Sequence, residues 1–229
     1  MQSDIKDLAQ SLGIDFQNEE YLLTAMIHRS YLNEHSKWKT DHNERLEFLG
    51  DAVLELIVTD YLFKKYPNPE GELTNWRAAL VRGVTLKEVA DQLELGKYLY
   101  LSKGEELSGG RERELILANA VEALIGAIYL DQGYGAAEDF IKKYIIAKLP
   151  EILKNKTYQD AKSHLQELSQ EKFGITPVYK LVSESGPDHN KQFVMAAYIA
   201  DNEYGQGAGS SKQLAEQEAA AEALKKWDI

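Results

Sequence analysis

Apolar positions recur every three or four residues from Ile5 to about Leu149, and no long alternating run of Val, Ile and Thr interrupts them. That period lines apolar side chains along one side of a helix, so this stretch is predicted to be a chain of α-helices. Pro and Gly punctuate it at "YPNPEGELT" (66–74) and "LSGGRERE" (107–114). Thr74 is the expected N-cap of the helix that carries Trp76, Arg77, Leu80 and Val81. After Pro150 the pattern changes. "EILKNKTYQD" (151–160) is polar and reads as a connector, with 153–159 as the linker proper. A helix at about 160–172 follows, then strands at 177–185 and 191–201 around the turn "GPDHN" (186–190). A shorter strand enters "GQGAGSS" (205–211), and a last helix runs from Lys212 to Trp227. The expected organisation is multi-domain: an all-α domain over 1–152, then an α+β domain of order α-β-β-β-α over 160–229.

Two helices place acids where the pattern does not call for them. In "NERLEFLGDAVLELI" (43–57), Glu44, Glu47, Asp51 and Glu55 fall three or four apart and stack on one face, where like charges repel. No Lys or Arg is expected to join that stripe, since Arg45 points elsewhere. A second helix, "LILANAVEALIGAIYL" (115–130), is apolar almost all round, as a core helix is; its polar groups are Asn119, Glu122 and the Tyr129 hydroxyl. A buried carboxylate is normally paired, protonated or bound to a metal. If the two helices face each other, their oxygen donors suit Mg²⁺ or Mn²⁺ better than zinc. One divalent ion would then relieve repulsion and burial together. The competing reading makes the first stripe a solvated face and pairs Glu122 with Arg77, Arg82 or Arg113. The residues alone leave both readings open.

Charge changes the picture less than its size suggests. The net charge is −11; residues 1–154 hold 26 acids and 18 bases, and residues 155–229 hold 11 acids and 8 bases. Neither part has the basic total of a strong electrostatic nucleic-acid binder, so such a reading must rest on placed residues. With no cysteine there is neither thiolate chemistry nor a disulfide frame, which suits a reducing compartment. "MQSDIKDLAQ" is polar and unlike a leader, and no apolar run is suited to spanning a bilayer. A cytoplasmic location with no membrane partner is expected.

"NERLEFLGDAVL" (43–54) resembles the hallmark motif of the ribonuclease III family, the double-stranded-RNA endonucleases. "MIHRSY" (26–31) resembles the family's HRS-containing segment. "EGELTNWRAALVRGVTLKEVA" (70–90) and "SGGRERELILANAVEALIGAIYLDQG" (108–133) resemble its later helices. The C-terminal part resembles a double-stranded-RNA-binding domain, carried by "GPDHNKQF" (186–193) and "GAGSSKQLAEQEAA" (207–220).

The resemblance implies a Mg²⁺-dependent endoribonuclease, with Mn²⁺ as a substitute. It would cleave duplex RNA of ribosomal precursors and messengers to 5′-phosphate and 3′-hydroxyl ends. Glu47, Asp51 and Glu122 take the positions of the metal-binding acids, and Glu44 that of a further acid of the cleavage valley; Asp51, Glu122 and Glu44 are the implied catalytic acids. Asn119 stands where most members have Asp, and can offer a carbonyl oxygen as a metal ligand at the loss of one charge. That departure motivates the alternative, a duplex-RNA-binding protein that no longer cleaves. The family works as a homodimer, and Phe48 matches an aromatic that plugs a pocket on the partner; otherwise it is an ordinary core residue. Duplex contacts are implied for Gln166 and Glu167, for Pro187, Asp188 and His189, and for Ser210, Ser211 and Lys212, which open the last helix. Gln213 replaces a second basic residue found in many members. Arg111 and Arg113 are either RNA-backbone contacts or partners of Glu112 and Glu114. His28 is expected to bond within its own segment and act structurally.

Overall fold

The apolar period becomes, in the computed structural model, a set of helices wrapped around one central helix. Residues 5–154, 161–187 and 191–226 are described, and the chain divides into two units, Met1–Tyr158 and Gln159–Ile229. The first contains α1 (Ile5–Leu12), α2 (Glu19–Ala25), α3 (Arg29–Glu34), α4 (Glu44–Lys65), α5 (Glu70–Val81) and α6 (Gly83–Gln92). It continues with α7 (Lys103–Leu107), α8 (Glu114–Tyr144) and α9 (Leu149–Lys154). The central helix is α8, packed against α4, α6 and α2. Every residue from 116 to 128 is buried except Asn119 and Glu122.

Helix α8 runs well past the expected end at 130. It kinks at Gly133, whose φ of 82° lies in the left-handed region, and resumes to bury Ala137, Phe140, Ile141 and Tyr144. Just before the kink, the Asp131 carboxylate accepts the N–H groups of Gln17 and Asn18 at 2.9 and 2.8 Å, which fastens the start of α2.

The α4–α8 crossing is set by glycine. A Cβ on Gly50 would stand 1.7 Å from the Glu122 carbonyl oxygen, and one on Gly126 would stand 2.3 Å from that of Leu46. The two backbones therefore touch directly, and the crossing lies within one turn of Glu47 and Asp51 on α4 and at Glu122 on α8.

Helix α5 begins four residues before the predicted Thr74 cap, which lies inside it. Pro69, in extended conformation, takes the N-cap position, acidic Glu70 and Glu72 occupy the first turn, and Asn68 donates to Glu72 at 2.9 Å. Acids there favour the positive end of the helix dipole, which outweighs the Gly71 break signal. The expected linker at 153–159 starts inside α9, which buries Leu149 and Ile152; 155–159 lie outside the described residues.

The second unit comprises α10 (Ala161–Phe173), β1 (Val178–Ser185), β2 (Gln192–Ile199), β3 (Asn202–Gly209) and α11 (Lys212–Lys225). The strands form an antiparallel sheet of order β1-β2-β3, with a register shift in β1 between Leu181 and Ser183. Its core joins Leu165, Ala197, Ile199, Ala219, Ala220 and Ala223. Strand β3 is as long as its neighbours, not shorter as expected. Its glycines face α11 so closely that a Cβ on Gly207 would lie 2.2 Å from the Ala219 nitrogen. The absence of side chains is a packing requirement here, not a sign of loop. Trp227, placed in the last helix by sequence, lies outside the described residues.

Candidate active site

Between Ile116 and Ile128 helix α8 is buried except at Asn119 and Glu122, which face the acids of α4. Burial raises the Glu122 carboxyl to a pKa of about 7, with Asp51 and then Glu47 adding repulsion. Glu47 is also raised, first by burial, then by Glu44 and to a lesser degree Asp51; a hydrogen bond from the Asn119 side chain acts in the opposite direction. An amide can donate to a carboxylate where a second carboxylate would repel it.

The acidic stripe of α4 is not uniform. Glu55 is paired with Arg77 of α5 at 3.0 Å. At the other end Glu44 lies 3.6 Å from Arg29 and 3.8 Å from His42. The expectation that no base joins the stripe is thus corrected at both ends. The partners come from other elements, which the periodicity of one helix cannot reveal. Between them, Glu47, Asp51 and Glu122 enter no ion pair among the described residues. Nor do Arg77 and Arg113 neutralise Glu122; Arg77 serves Glu55, and Arg113 pairs with Glu105. Among the described residues no three His, Cys, Asp or Glu side chains close into an assembled metal cage. What stands here is a set of neighbouring, uncompensated oxygen donors, the kind that hard divalent cations take.

Arg111 and Arg113 are committed within the fold. Arg111 donates to Glu106 at 2.8 Å and to the carbonyls of Gly96 and Leu99 at 2.7 and 3.0 Å. Arg113, besides Glu105, donates to the Ser108 hydroxyl at 3.0 Å. The ion-pair reading therefore describes them, with Glu106 and Glu105 as partners in place of Glu112 and Glu114. The His28 segment belongs to the same scaffold. His28 Nδ1 bonds the Ser30 hydroxyl at 2.8 Å, and Ser30 accepts the Ser102 N–H at 3.0 Å. Ser102 caps α7 by accepting the Glu105 N–H at 3.1 Å. Hydrogen bonds thus run from α3 through α7 to Arg113, the N-cap of α8. Burial lowers the His28 pKa against the pull of Glu105 and Glu44.

Phe48 is no core residue: it is 81% exposed. Ala52, Leu56 and Phe63 follow it on the same side of α4, also exposed, and make an apolar stripe beside the acidic one.

In the second unit, Gln166 and Glu167 are exposed on α10, and Pro187 is exposed after β1; Asp188 and His189 lie outside the described residues. Ser210, Ser211 and Lys212 are exposed at the start of α11, where Ser211 accepts the Leu214 N–H at 3.2 Å. The Lys212 ammonium sits 5.9 Å over the Phe193 ring. Lys162 reaches Glu216 at 2.5 Å and ties α10 to α11 within a turn of Gln166 on one and Lys212 on the other.

Sequence reasoning missed Arg29 and His42 as neighbours of the acids, and offered Arg77 to Glu122 where it holds Glu55. "HRS" held the first of them, but nothing in the motif said that it would face Glu44.

Residues 18–149 match the Ribonuclease-III-like family, and residues 161–226 match the double-stranded RNA binding motif. A protein named Ribonuclease 3 from Natranaerobius thermophilus is 49% identical over 224 residues, spanning 97% of this chain and 96% of its own. Ribonuclease 3 of Oceanobacillus iheyensis is 47% identical over 222 residues, spanning 96% and 97%. Among solved structures, the nuclease domain of ribonuclease III from Campylobacter jejuni aligns with a TM-score of 0.59 and 41% identity. It covers 64% of this chain and 99% of that one, and is described as flexible in a region involved in dimer formation. Among the described residues no helix is long and apolar enough to cross a membrane.

Proposed function

The chain belongs to the ribonuclease III family and is an endoribonuclease, and from that premise we propose that it hydrolyses duplex RNA at the acids shared by α4 and α8, with Mg²⁺ as cofactor. The observation that carries this reading is Glu122, a half-buried carboxylate facing Asp51 and Glu47 with no cation paired to it among the described residues. Glu47, Asp51 and Glu122 would hold the ion through carboxylate oxygens, and Asn119 through its carbonyl while its amide steadies Glu47. Mn²⁺ would fit the same oxygen donors. When bound, the ion supplies Lewis acidity toward a water and the scissile phosphate. Glu44, held by Arg29 and His42, stands at the edge of the acid group and flanks the path of the RNA. The products are 5′-phosphate and 3′-hydroxyl ends, and the substrates duplex regions of ribosomal precursors and messengers in the cytoplasm. Asn119 fits an active site as a donor to Glu47, so the non-cleaving alternative has no separate support.

Residues 160–229 would hold the duplex by shape, through Gln166, Glu167, the turn at 187–189 and the α11 start, while residues 1–152 cut. The exposed stripe from Phe48 to Phe63 supports a homodimer. A two-fold axis near Leu56 would lay Phe48 of each copy beside Phe63 of the other. There it would meet a cavity of about 590 Å³ lined by Thr59, Phe63, Tyr66, Leu73 and Arg77.

Labelled duplex RNA, incubated with and without Mg²⁺, tests the reaction. The chain as it stands, with Asn119, should cut only with the ion. Glu122→Gln should bind the duplex and leave it whole; normal turnover by that variant would refute the assigned site.

A further inference from the structure

Residues 35–42 form no helix or strand, yet they are pinned at both ends and in the middle. His35 stacks on Tyr31 with ring centroids 3.9 Å apart and bonds the Tyr31 carbonyl at 2.9 Å. Trp38 meets the same tyrosine edge-on at 5.2 Å and lies 5.8 Å from Tyr100. At the far end the Asn43 N–H donates to the Ile27 carbonyl at 2.9 Å, and Glu44 follows directly. The strap is thus held against Tyr31 and Tyr100 and runs directly into the start of α4.

Its charge is opposite to that of the chain. Arg29, Lys37 and Lys39, with three of the five histidines, fall between residues 28 and 42 against two acids, Glu34 and Asp41, in a protein of net charge −11. Lys37 and Lys39 flank the Trp38 anchor and are exposed. Among the described residues neither enters an ion pair, a state they share with Lys65, Lys103 and Lys143, whereas Lys64, Lys87, Lys97, Lys142 and Lys148 each hold an acid. Two exposed lysines with no ion pair among the described residues, on a chain with acid in excess, are placed for an external anion. Arg111 and Arg113 cannot fill that role while they brace the α7–α8 loop. An RNA backbone approaching the acids would meet repulsion unless cations lined its entry.

We propose that this strap, with Arg29 beside it, is a phosphate-binding rim of the catalytic unit, taking the backbone of duplex RNA at the entry to the acids. The inference rests on the duplex-RNA reading above. Lys37 and Lys39 bind one phosphate each, and Arg29 shares its charge between Glu44 and the incoming strand.

The test is duplex binding by the full chain without divalent ions, so that nothing is cut, across a salt series, followed by cleavage kinetics with Mg²⁺. Lys37→Ala/Lys39→Ala should weaken binding several-fold and reduce the salt slope by about 2, at roughly 0.9 per phosphate contact. Its KM should rise with kcat unchanged, and its melting temperature should match the parent's. Lys37→Arg/Lys39→Arg should restore binding. Lys87→Ala/Lys142→Ala, which removes as much charge from paired lysines, should bind as the parent does. An unchanged Kd and slope in the strap variant, with normal cutting, would overturn the rim and leave the duplex-RNA reading intact. Equal loss in the paired-lysine control would reduce the effect to net charge and also overturn it. Failure of the parent itself to bind duplex RNA would overturn the functional reading, and the rim with it.

Discussion

Glu122 titrates near neutrality because burial and two neighbouring carboxylates oppose its charge together. With a folded pKa of about 7 against an ordinary 4.5, its contribution to folding stability is fully present below about pH 4.5 and is lost as pH rises through 7. Glu47, raised by burial and Glu44, acts in the same sense. The ion-free protein should therefore melt progressively lower between pH 5 and 8. A saturating divalent ion, which binds the ionised form, should raise the melting temperature little at pH 5 and much more at pH 8. Glu122→Gln should flatten the first dependence and remove most of the second. Calorimetry across that pH range with and without Mg²⁺ is the measurement; a pH-independent shift would mean that the ion binds elsewhere. These acids were legible in the sequence because they violate helix patterning in opposite ways, one row too uniform in sign and one charge too deep in a core helix. Arg29 was not, and Arg77 was matched to the wrong acid, because a partner brought in from another helix leaves no period. Arg111 and Arg113 were ambiguous for the same reason: only packing tells an inward guanidinium from an outward one.

At the scale of elements, the α4–α8 crossing decides whether the acids meet. In an exposed helix, Gly→Ala is stabilising by roughly 0.5–1 kcal/mol. Gly50→Ala should reverse that sign, because its Cβ would overlap the Glu122 carbonyl oxygen at 1.7 Å. A loss of about 3 kcal/mol is expected for such overpacking, together with loss of cutting, read by thermal melting and turnover. Melting at the parent's temperature would show that the helices do not touch there. The helical first unit and the α-β-β-β-α order of the second were readable from periodicity. Several boundaries moved because Gly marks a break in sequence where the element in fact continues. Gly205, Gly207 and Gly209 thin a strand beneath α11, and Gly71 is absorbed into an acid-started helix. Gly133 kinks α8 without ending it.

For the molecule as a whole, the exposed apolar stripe on α4 is the feature that a single chain leaves unexplained. Phe48→Glu should shift sedimentation from dimer to monomer and depress duplex cutting, since burying a charge at a self-complementary contact costs it twice, once per copy. A variant that stays dimeric would move the interface away from α4. The stripe was legible as a candidate only at Phe48, through resemblance; Leu56 and Phe63 look like core positions until the packing shows them outside. At this scale too, the two units have separate hydrophobic cores.

The contact between Gly50 and Gly126 has a wider consequence. Where main chain rests on main chain, no rotamer adjusts the gap, so the span between the acid-bearing helices is fixed by the contact of the two backbones. Neighbouring core side chains can then vary in size over generations at a cost in stability, while the room left for an ion stays the same.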